Sequence, residues 1–231
     1  MSILLNPTSL SVRRPLVGSV KQCCCTMSGY AARNPYLKDL KYKDIVEVNN
    51  TLKLTKHEHA MIDRFIRVNQ AGETAAVTIY KGQVAVLGGD PRLRSLLTHM
   101  REQEEVHLEI MDKHIVDFKV RPTLLQPVAA VGGYILGVTS ALLGTKSAMT
   151  CTEAVETRIG MHYNDQLRDL YKLKYEGLNE LKRTIAKCRD EELEHLDTAV
   201  DHGARMAPLY KLQFELIKGG CGVAIWLCER I

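Results

Sequence analysis

The chain has 231 residues, 45% of them apolar, which is enough to bury one well-packed domain of ordinary size. Its formal charge of +4 is concentrated at the start, where Arg13, Arg14, Lys21, Arg33 and Lys38 precede the first acid, Asp39. The remainder is close to neutral and offers no basic face of the kind that binds nucleic acid.

Residues 1–40 combine Arg and Ser with an absence of acid before Asp39 and no long apolar run. That composition reads as a mitochondrial transit peptide rather than a secretory signal, with a basic tail of no address as the alternative it leaves open. Cys23, Cys24 and Cys25 fall in this leader, whereas Cys151, Cys188, Cys221 and Cys228 lie in the body. No pair has Cys-x-x-Cys spacing, so the four read as small apolar packing residues in a reducing compartment.

From residue 57 onward, apolar residues recur at steps of three and four, and Pro is confined to junctions. Six helices are predicted, over 57–88, 92–118, 127–143, 147–174, 177–202 and 206–228, with Gly88-Gly89-Asp90-Pro91, Pro122, Gly144, Gly177, Gly203 and Pro208 marking the breaks. The second and fifth carry an internal repeat. REQEEVHLEIMDKH from Arg101 and RDEELEHLDTAVDH from Arg189, offset by 88, match at Glu104/Glu192, His107/His195, Leu108/Leu196 and His114/His202. The first and fourth carry another, offset by 83, that pairs Glu73/Glu156, Thr74/Thr157, Tyr80/Tyr163, Gln83/Gln166 and Leu87/Leu170.

Each half, 57–118 and 147–202, is thus a helix with one Glu followed by a helix with Glu-x-x-His, and two such hairpins make an antiparallel four-helix bundle. Residues three apart on a helix lie about 60° around its axis, so Glu104 and His107 can touch one ion, as can Glu192 and His195. With Glu73 and Glu156 the interior would hold four carboxylates and two imidazoles. This is the ligand pattern of ferritin-like di-iron and di-manganese proteins. Two divalent cations would cancel the four negative charges, and oxygen-rich ligation suits iron(II) or manganese(II) better than zinc. A single Glu-x-x-His arises by accident about half the time in a chain of this composition, so the weight rests on the duplication.

The expectations for neighbouring residues are weaker. Tyr80 and Tyr163 lie two turns beyond Glu73 and Glu156, where they could hydrogen-bond a ligand or simply pack in the core. His114 and His202 lie two turns, about 10.5 Å, beyond His107 and His195 and read as helix-end polar residues. Glu102, Glu105, Glu109, Glu191 and Glu194 read as a solvated helix face.

Two segments stand outside the repeat. Residues 122–145 form an uncharged run that approaches the length of a membrane span, but Pro127, Gly132-Gly133 and Gly137 weaken it as a spanning helix. The preferred reading is an interfacial helix that dips an apolar face into a bilayer, against a buried crossover helix covering one end of the bundle. The last segment, GGCGVAIWLCERI, is also apolar and could share that surface.

The stretches IRVNQAGE, IYKGQVAVL, VRPTLLQP, SALLG, AMTCTEAVE, HYNDQLRDL, RDEELEHLD and GCGVAIWLCERI closely resemble the demethoxyubiquinone hydroxylase family, di-iron monooxygenases of ubiquinone biosynthesis, from about Ile62 to Ile231. The resemblance implies a di-iron hydroxylase domain over 57–231, ferritin-like with two additional apolar helices. Its six iron ligands fall on Glu73, Glu104, His107, Glu156, Glu192 and His195. It implies O2 and demethoxyubiquinol as substrates, NADH as electron source, and a lipid-presenting partner of the ubiquinone synthesis complex. The expected place is the matrix side of the mitochondrial inner membrane, with homo-oligomerisation left open.

The chain departs from the family where Asn69-Gln70 replaces the usual Asp-His before Ala-Gly-Glu. Asn69 lies on the face of Glu73, where a neutral amide can still accept from an imidazole N–H but should raise ligand basicity less than a carboxylate would. That departure keeps a non-catalytic lipid-binding or assembly scaffold in view, and another ferritin-like di-iron oxidase is the third reading. No Gly-x-Gly-x-x-Gly run marks a dinucleotide-binding module.

Overall fold

A computed structural model describes residues 52–231, so the expected leader lies outside the described residues. Among the described residues there are six α-helices and no strand: α1 (Lys56–Leu87), α2 (Pro91–Asp117), α3 (Gln126–Leu142), α4 (Thr145–Leu170), α5 (Asn179–Asp201) and α6 (Tyr210–Cys228). Local chemistry explains several of the ends. Thr55 and Glu58 form a reciprocal capping box at the start of α1, and Asp90 caps α2 with Pro91 in its first turn.

Predicted and observed boundaries differ most at the end of α4, expected at 174 and found at Leu170, and at the start of α6, expected at 206 and found at Tyr210. Glu176–Leu178 is a single 3-10 turn rather than the start of α5. A Cβ at Gly177 would fall 2.9 Å from Leu52 Cδ2, so this turn is shaped by a contact with the chain entering α1. Before α6, Pro208 drives Ala207 into an extended conformation, and the helix restarts only at Tyr210.

The two hairpins α1–α2 and α4–α5 face each other, and their interior is layered. One end is filled by Ile62, Ile66, Met111, Ile115, Leu170 and Ile185, and the other by Tyr80, Leu97, Met100, Met149 and Ala199. On every helix the repeated acids and histidines lie between these two apolar layers. The polar residues are therefore enclosed at mid-bundle, above and below as well as around.

Helix α3 is regular through its glycines, which have a packing role that composition alone does not reveal. A Cβ at Gly133 would meet the Ala75 carbonyl oxygen at 2.5 Å, and one at Gly82 on α1 would meet the Tyr134 oxygen at 2.5 Å. Backbone lies against backbone, and only glycine permits it. Consequently α3 runs along the flank of α1 and buries Gly133, Gly137, Ser140 and Ala141, while Val128, Val131, Ile135 and Leu142 remain exposed. The crossover is thus not a buried cover, and no described helix is long and apolar enough to cross a membrane.

The two histidines read as helix-end polar groups part company. His202 is exposed and its Nδ1 donates to the Thr198 carbonyl oxygen at 2.8 Å. His114 is only 2% exposed, packs against Phe118, and has no hydrogen-bond partner on either ring nitrogen. Burial, reinforced by the charge of Lys113, pushes its pKa down to about 4. An unfolded histidine takes up its proton near pH 6.5. Between about 6.5 and 4 the unfolded chain therefore binds the extra proton, and stability falls with pH by up to about 3 kcal/mol from this residue. Replacing His114 with Phe should flatten that acid limb, as read by urea denaturation from pH 7 to pH 4. The slope is the measurement, so a packing cost common to all pH values does not affect it.

Candidate metal centre

The four core helices each bring one or two of the repeated side chains to the same place. Glu73 comes from α1, Glu104 and His107 from α2, Glu156 from α4, and Glu192 and His195 from α5, and none is more than 3% exposed. They fall into two groups, Glu73, Glu104, His107, Glu192 and Glu104, Glu156, Glu192, His195, in each of which one potential ligand atom per residue lies within 4.8 Å of the others. Glu104 and Glu192 belong to both. They occupy the positions that a pair of adjacent ions would share.

Both imidazoles turn Nδ1 inward. His107 Nδ1 is 3.1 Å from Glu192 Oε1 and 3.5 Å from Glu104 Oε2, and His195 Nδ1 is 3.0 Å from Glu104 Oε1 and 3.3 Å from Glu192 Oε2. These contacts are close but not aligned as hydrogen bonds. Both oxygens of Glu104, Glu192 Oε2 and the two Nδ1 atoms have no hydrogen-bond partner, although all are fully buried. Donors and acceptors left unsatisfied inside a fold are costly, and here they converge on common points. The donor set therefore fits a pair of divalent cations.

Protonation tells the same story for the protein without metal. Burial raises the carboxyl groups of Glu73 and Glu156 well above the ordinary range. Burial also acts to raise Glu104, but the facing imidazoles of His107 and His195 outweigh it and hold the group at about 2. Burial would lower both imidazoles, yet Glu104 and Glu192 raise His195 to about 11 and carry His107 higher still. Protons on Glu73, Glu156 and the two imidazoles thus compensate the cluster as two divalent ions would.

A second ring of groups holds the first in place. The Tyr163 hydroxyl donates to Glu73 Oε1, and the Tyr80 hydroxyl donates to Glu156 Oε1 at 3.3 Å. Each tyrosine thus supports the glutamate of the other half. Behind the imidazoles, His107 Nε2 lies 2.7 Å from Glu191 Oε2 and His195 Nε2 lies 3.1 Å from Gln103 Oε1. Glu191 is therefore not part of a solvated face but a partner of His107, and Gln103 is the corresponding partner of His195. The repeat marks both positions in the sequence, because they are separated by its offset of 88 and each stands four residues before its own helix's histidine.

Asn69 does not reach a ligand imidazole. It exchanges hydrogen bonds of 2.9 and 2.8 Å with the amide of Gln166, whose nitrogen also lies 2.7 Å from His162 Nε2. The neighbouring Gln70 amide donates to Asp112 at 3.0 Å. Both residues of the sequence departure are engaged away from the inward-facing nitrogens.

A cavity of about 520 Å³ opens onto the carboxylates. Its walls come from α1, α3, α4 and α6, with Ile79, Leu136, Ile159, Ile217 and Ile225 among the lining, and Glu73, Glu104, Glu156 and Glu192 also border it. Asn69 and His162 are polar groups of the same wall.

Comparison with known proteins gives a consistent picture. Residues 60–228 match the family model described as ubiquinone biosynthesis protein COQ7. The 3-demethoxyubiquinol 3-hydroxylase of Rhodospirillum rubrum is 48% identical over 176 residues, 74% of this chain and 79% of that protein. The human mitochondrial protein named NADPH-dependent 3-demethoxyubiquinone 3-hydroxylase is 46% identical over 180 residues, covering 78% and 82% of the two chains. The mitochondrial 5-demethoxyubiquinone hydroxylase of Saccharomyces cerevisiae is 44% identical over 190 residues, 77% and 82% of the two.

If protons and metal ions are alternative occupants of the cluster, loading must expel the protons. Metal uptake by the apoprotein should release about four protons per two ions near neutral pH, from the two imidazoles, Glu73 and Glu156. Affinity should accordingly fall as pH is lowered. Manganese(II) addition in weakly buffered solution with a pH indicator measures the release, and a proton-neutral uptake would contradict it.

Proposed function

Because the chain belongs to the family of the ubiquinone biosynthesis protein COQ7, we propose that it hydroxylates the ring of a demethoxyubiquinol with O2 at a di-iron centre held by Glu73, Glu104, His107, Glu156, Glu192 and His195. The observation that carries this reading is a buried six-residue ligand cluster at the inner end of an apolar cavity. Such an arrangement admits an oily molecule to the cluster while keeping bulk water away.

When bound, two irons would supply O2 activation, with one oxygen atom entering the ring and the other leaving as water at the expense of two external electrons and two protons. The chain's own residues do the rest. The apolar wall takes up the isoprenoid tail, so the ring is carried head-first toward the carboxylates. Asn69 and His162, joined through Gln166, are the wall groups able to hydrogen-bond ring oxygens. Tyr163 and Tyr80 hold Glu73 and Glu156, and in doing so limit the rotamers these glutamates adopt as ligation changes.

A reduced nicotinamide nucleotide is the electron source in this reading. The mouse and human relatives are named for NADPH rather than the NADH that the resemblance implied. The Asn69-Gln70 departure lends no support to a scaffold without activity, because Asn69 pairs with Gln166 and Gln70 with Asp112 away from the inward-facing nitrogens, and all six ligand-type residues are present.

The substrate's chemistry also accounts for the outer surface. Val128, Val131, Ile135 and Leu142 of α3 and Leu212, Leu216, Val223 and Trp226 of α6 are all more than half exposed. These two helices wall the cavity on their inner sides, and Val128 and Leu216 belong to its lining as well as to the exposed surface. Their outer sides lie on a membrane surface, with Trp226 and the Arg230 guanidinium stacked 4.2 Å from its ring at the headgroup level. Relatives from mouse, human and yeast are mitochondrial by name, and the matrix face of the inner membrane is the proposed location. A lipid-presenting partner would approach the same face.

Cells lacking the protein should accumulate demethoxyubiquinone, wild type should clear it, and Glu192→Ala should not. Normal ubiquinone in the deletion strain would refute the hydroxylase assignment. For the surface, the double substitution Val131→Asp and Leu142→Asp should lower binding to phospholipid vesicles at least about tenfold. Because neither residue lines the cavity, metal content should stay unchanged.

A further inference from the structure

The two halves of the cluster are related by the repeat, yet they are not chemically equal. Positions 103 and 191 correspond under the same offset that pairs His107 with His195. Each supports the histidine of the opposite hairpin through the nitrogen that faces away from the cluster. For His107 the acceptor is the Glu191 carboxylate at 2.7 Å, and for His195 it is the neutral Gln103 carbonyl at 3.1 Å. The two imidazoles are alike in turning Nδ1 inward, in being no more than 2% exposed and in standing three residues after a shared glutamate; they differ further in that His107 Nδ1 also lies 3.8 Å from Glu73 Oε2 and His195 packs edge-on against Tyr80.

Resting on the di-metal reading above, we infer that the two metal positions differ in affinity, the one at His107 being the tight position and the one at His195 the loose one, and that Glu191 and Gln103 are the positioning residues that set this order. With Nδ1 used for the metal, Nε2 keeps its hydrogen and donates it outward. A carboxylate accepting that hydrogen pulls the proton toward itself and leaves the ring more electron-rich, so Nδ1 becomes the better donor. It also adds a formal negative charge near one metal position only. An amide oxygen does the first weakly and the second not at all. Lys187, whose ammonium is 3.4 Å from the other oxygen of Glu191, offsets part of the charge but leaves the short hydrogen bond intact.

A chain with this difference takes up metal in two stages. The position formed by Glu73, Glu104, His107 and Glu192 fills first and organises Glu104 and Glu192, which the second ion then shares. The second ion enters beside Glu156 and His195 and is the one lost first to a chelator.

The test is a titration of full-length apoprotein with manganese(II) under anaerobic conditions, followed calorimetrically. Wild type should show two resolved steps about tenfold or more apart in affinity. Glu191→Gln should weaken the tighter step by about 10- to 100-fold, onto the looser one, without moving the latter. Gln103→Glu should tighten the looser step instead. The double variant Gln103→Glu with Glu191→Gln should restore two resolved steps with the order of the positions reversed, which a variant that had merely misfolded could not do. Mössbauer spectra at one equivalent of iron(II) should likewise contain one dominant ferrous species in wild type and a mixture in Glu191→Gln. Two identical steps in wild type, or a loss in Glu191→Gln that falls equally on both, would overturn the inference while leaving the metal centre in place. Failure of wild type to bind two ions at all would overturn the centre and this inference with it.

Discussion

Four carboxylates buried between two apolar layers are the constraint on which the rest of the structure depends. Their mutual repulsion and loss of hydration are tolerable only if positive charge of equal size is enclosed with them. Two imidazoles are too few when neutral and sufficient only when protonated together with two of the acids. The raised carboxyls of Glu73 and Glu156 and the raised imidazoles of His107 and His195 are that compensation. Metal ions provide the same charge without occupying the ligand atoms with hydrogen. A fold organised only for stability would be better served by aliphatic residues at these six positions. Their presence is therefore an argument about chemistry rather than about folding.

Duplication is the economical way to build such a cluster. A helical hairpin offering one Glu and one Glu-x-x-His cannot enclose its own charged groups, but two of them facing each other can. The contacts show the dependence of each half on the other. Tyr163 holds Glu73, Tyr80 holds Glu156, Glu191 stands behind His107 and Gln103 behind His195. Every one of these hydrogen bonds crosses from one hairpin to the other. Neither half could drift in sequence at these positions without disturbing the site of its partner, and the one visible divergence, Gln against Glu, is the place where the halves acquire different properties.

The sequence made the helices and the convergent residues legible because helical periodicity is local. Glu104 and His107 share a face by virtue of spacing alone, and the repeat offset supplied the pairing. What spacing could not provide was anything that depends on the opposing helix. Glu191 looked like one more acid in an acidic stretch, and only the approach of His107 from α2 makes it a partner. His114 looked like a polar helix end because nothing in α2 announces that Phe118 and its neighbours close over it. The glycines of α3 looked like helix weakeners, whereas their meaning lies in the carbonyl oxygens of Ala75 and Tyr134 across the gap. Asn69 lay on the expected face, but a complementary amide from Gln166 captured it.

Helices α3 and α6 join the inner chemistry to the outer surface. Their small residues, Gly133 and Gly137 on one and Gly220 and Ala224 on the other, either press against the bundle or leave space beside it, while larger ones such as Leu136, Ile217 and Ile225 line the cavity and others such as Val131, Leu142 and Val223 are exposed. A bundle of four helices alone would present the cluster to water through the gap between α1 and α4. With α3 laid along α1 and α6 along α4, that gap becomes an apolar passage whose walls continue into an apolar exterior. On the proposed reading, a substrate dissolved in a bilayer then meets a hydrocarbon-like path to the carboxylates. Transfer along it exposes little apolar area to water, so the tail does not oppose the approach of the ring. The same continuity bars polar solutes and bulk water, which would have to cross the apolar face to reach the cluster. On the proposed reading, selection for a lipid substrate thus follows from where the apolar faces of α3 and α6 are placed, and requires no residue dedicated to recognising the tail.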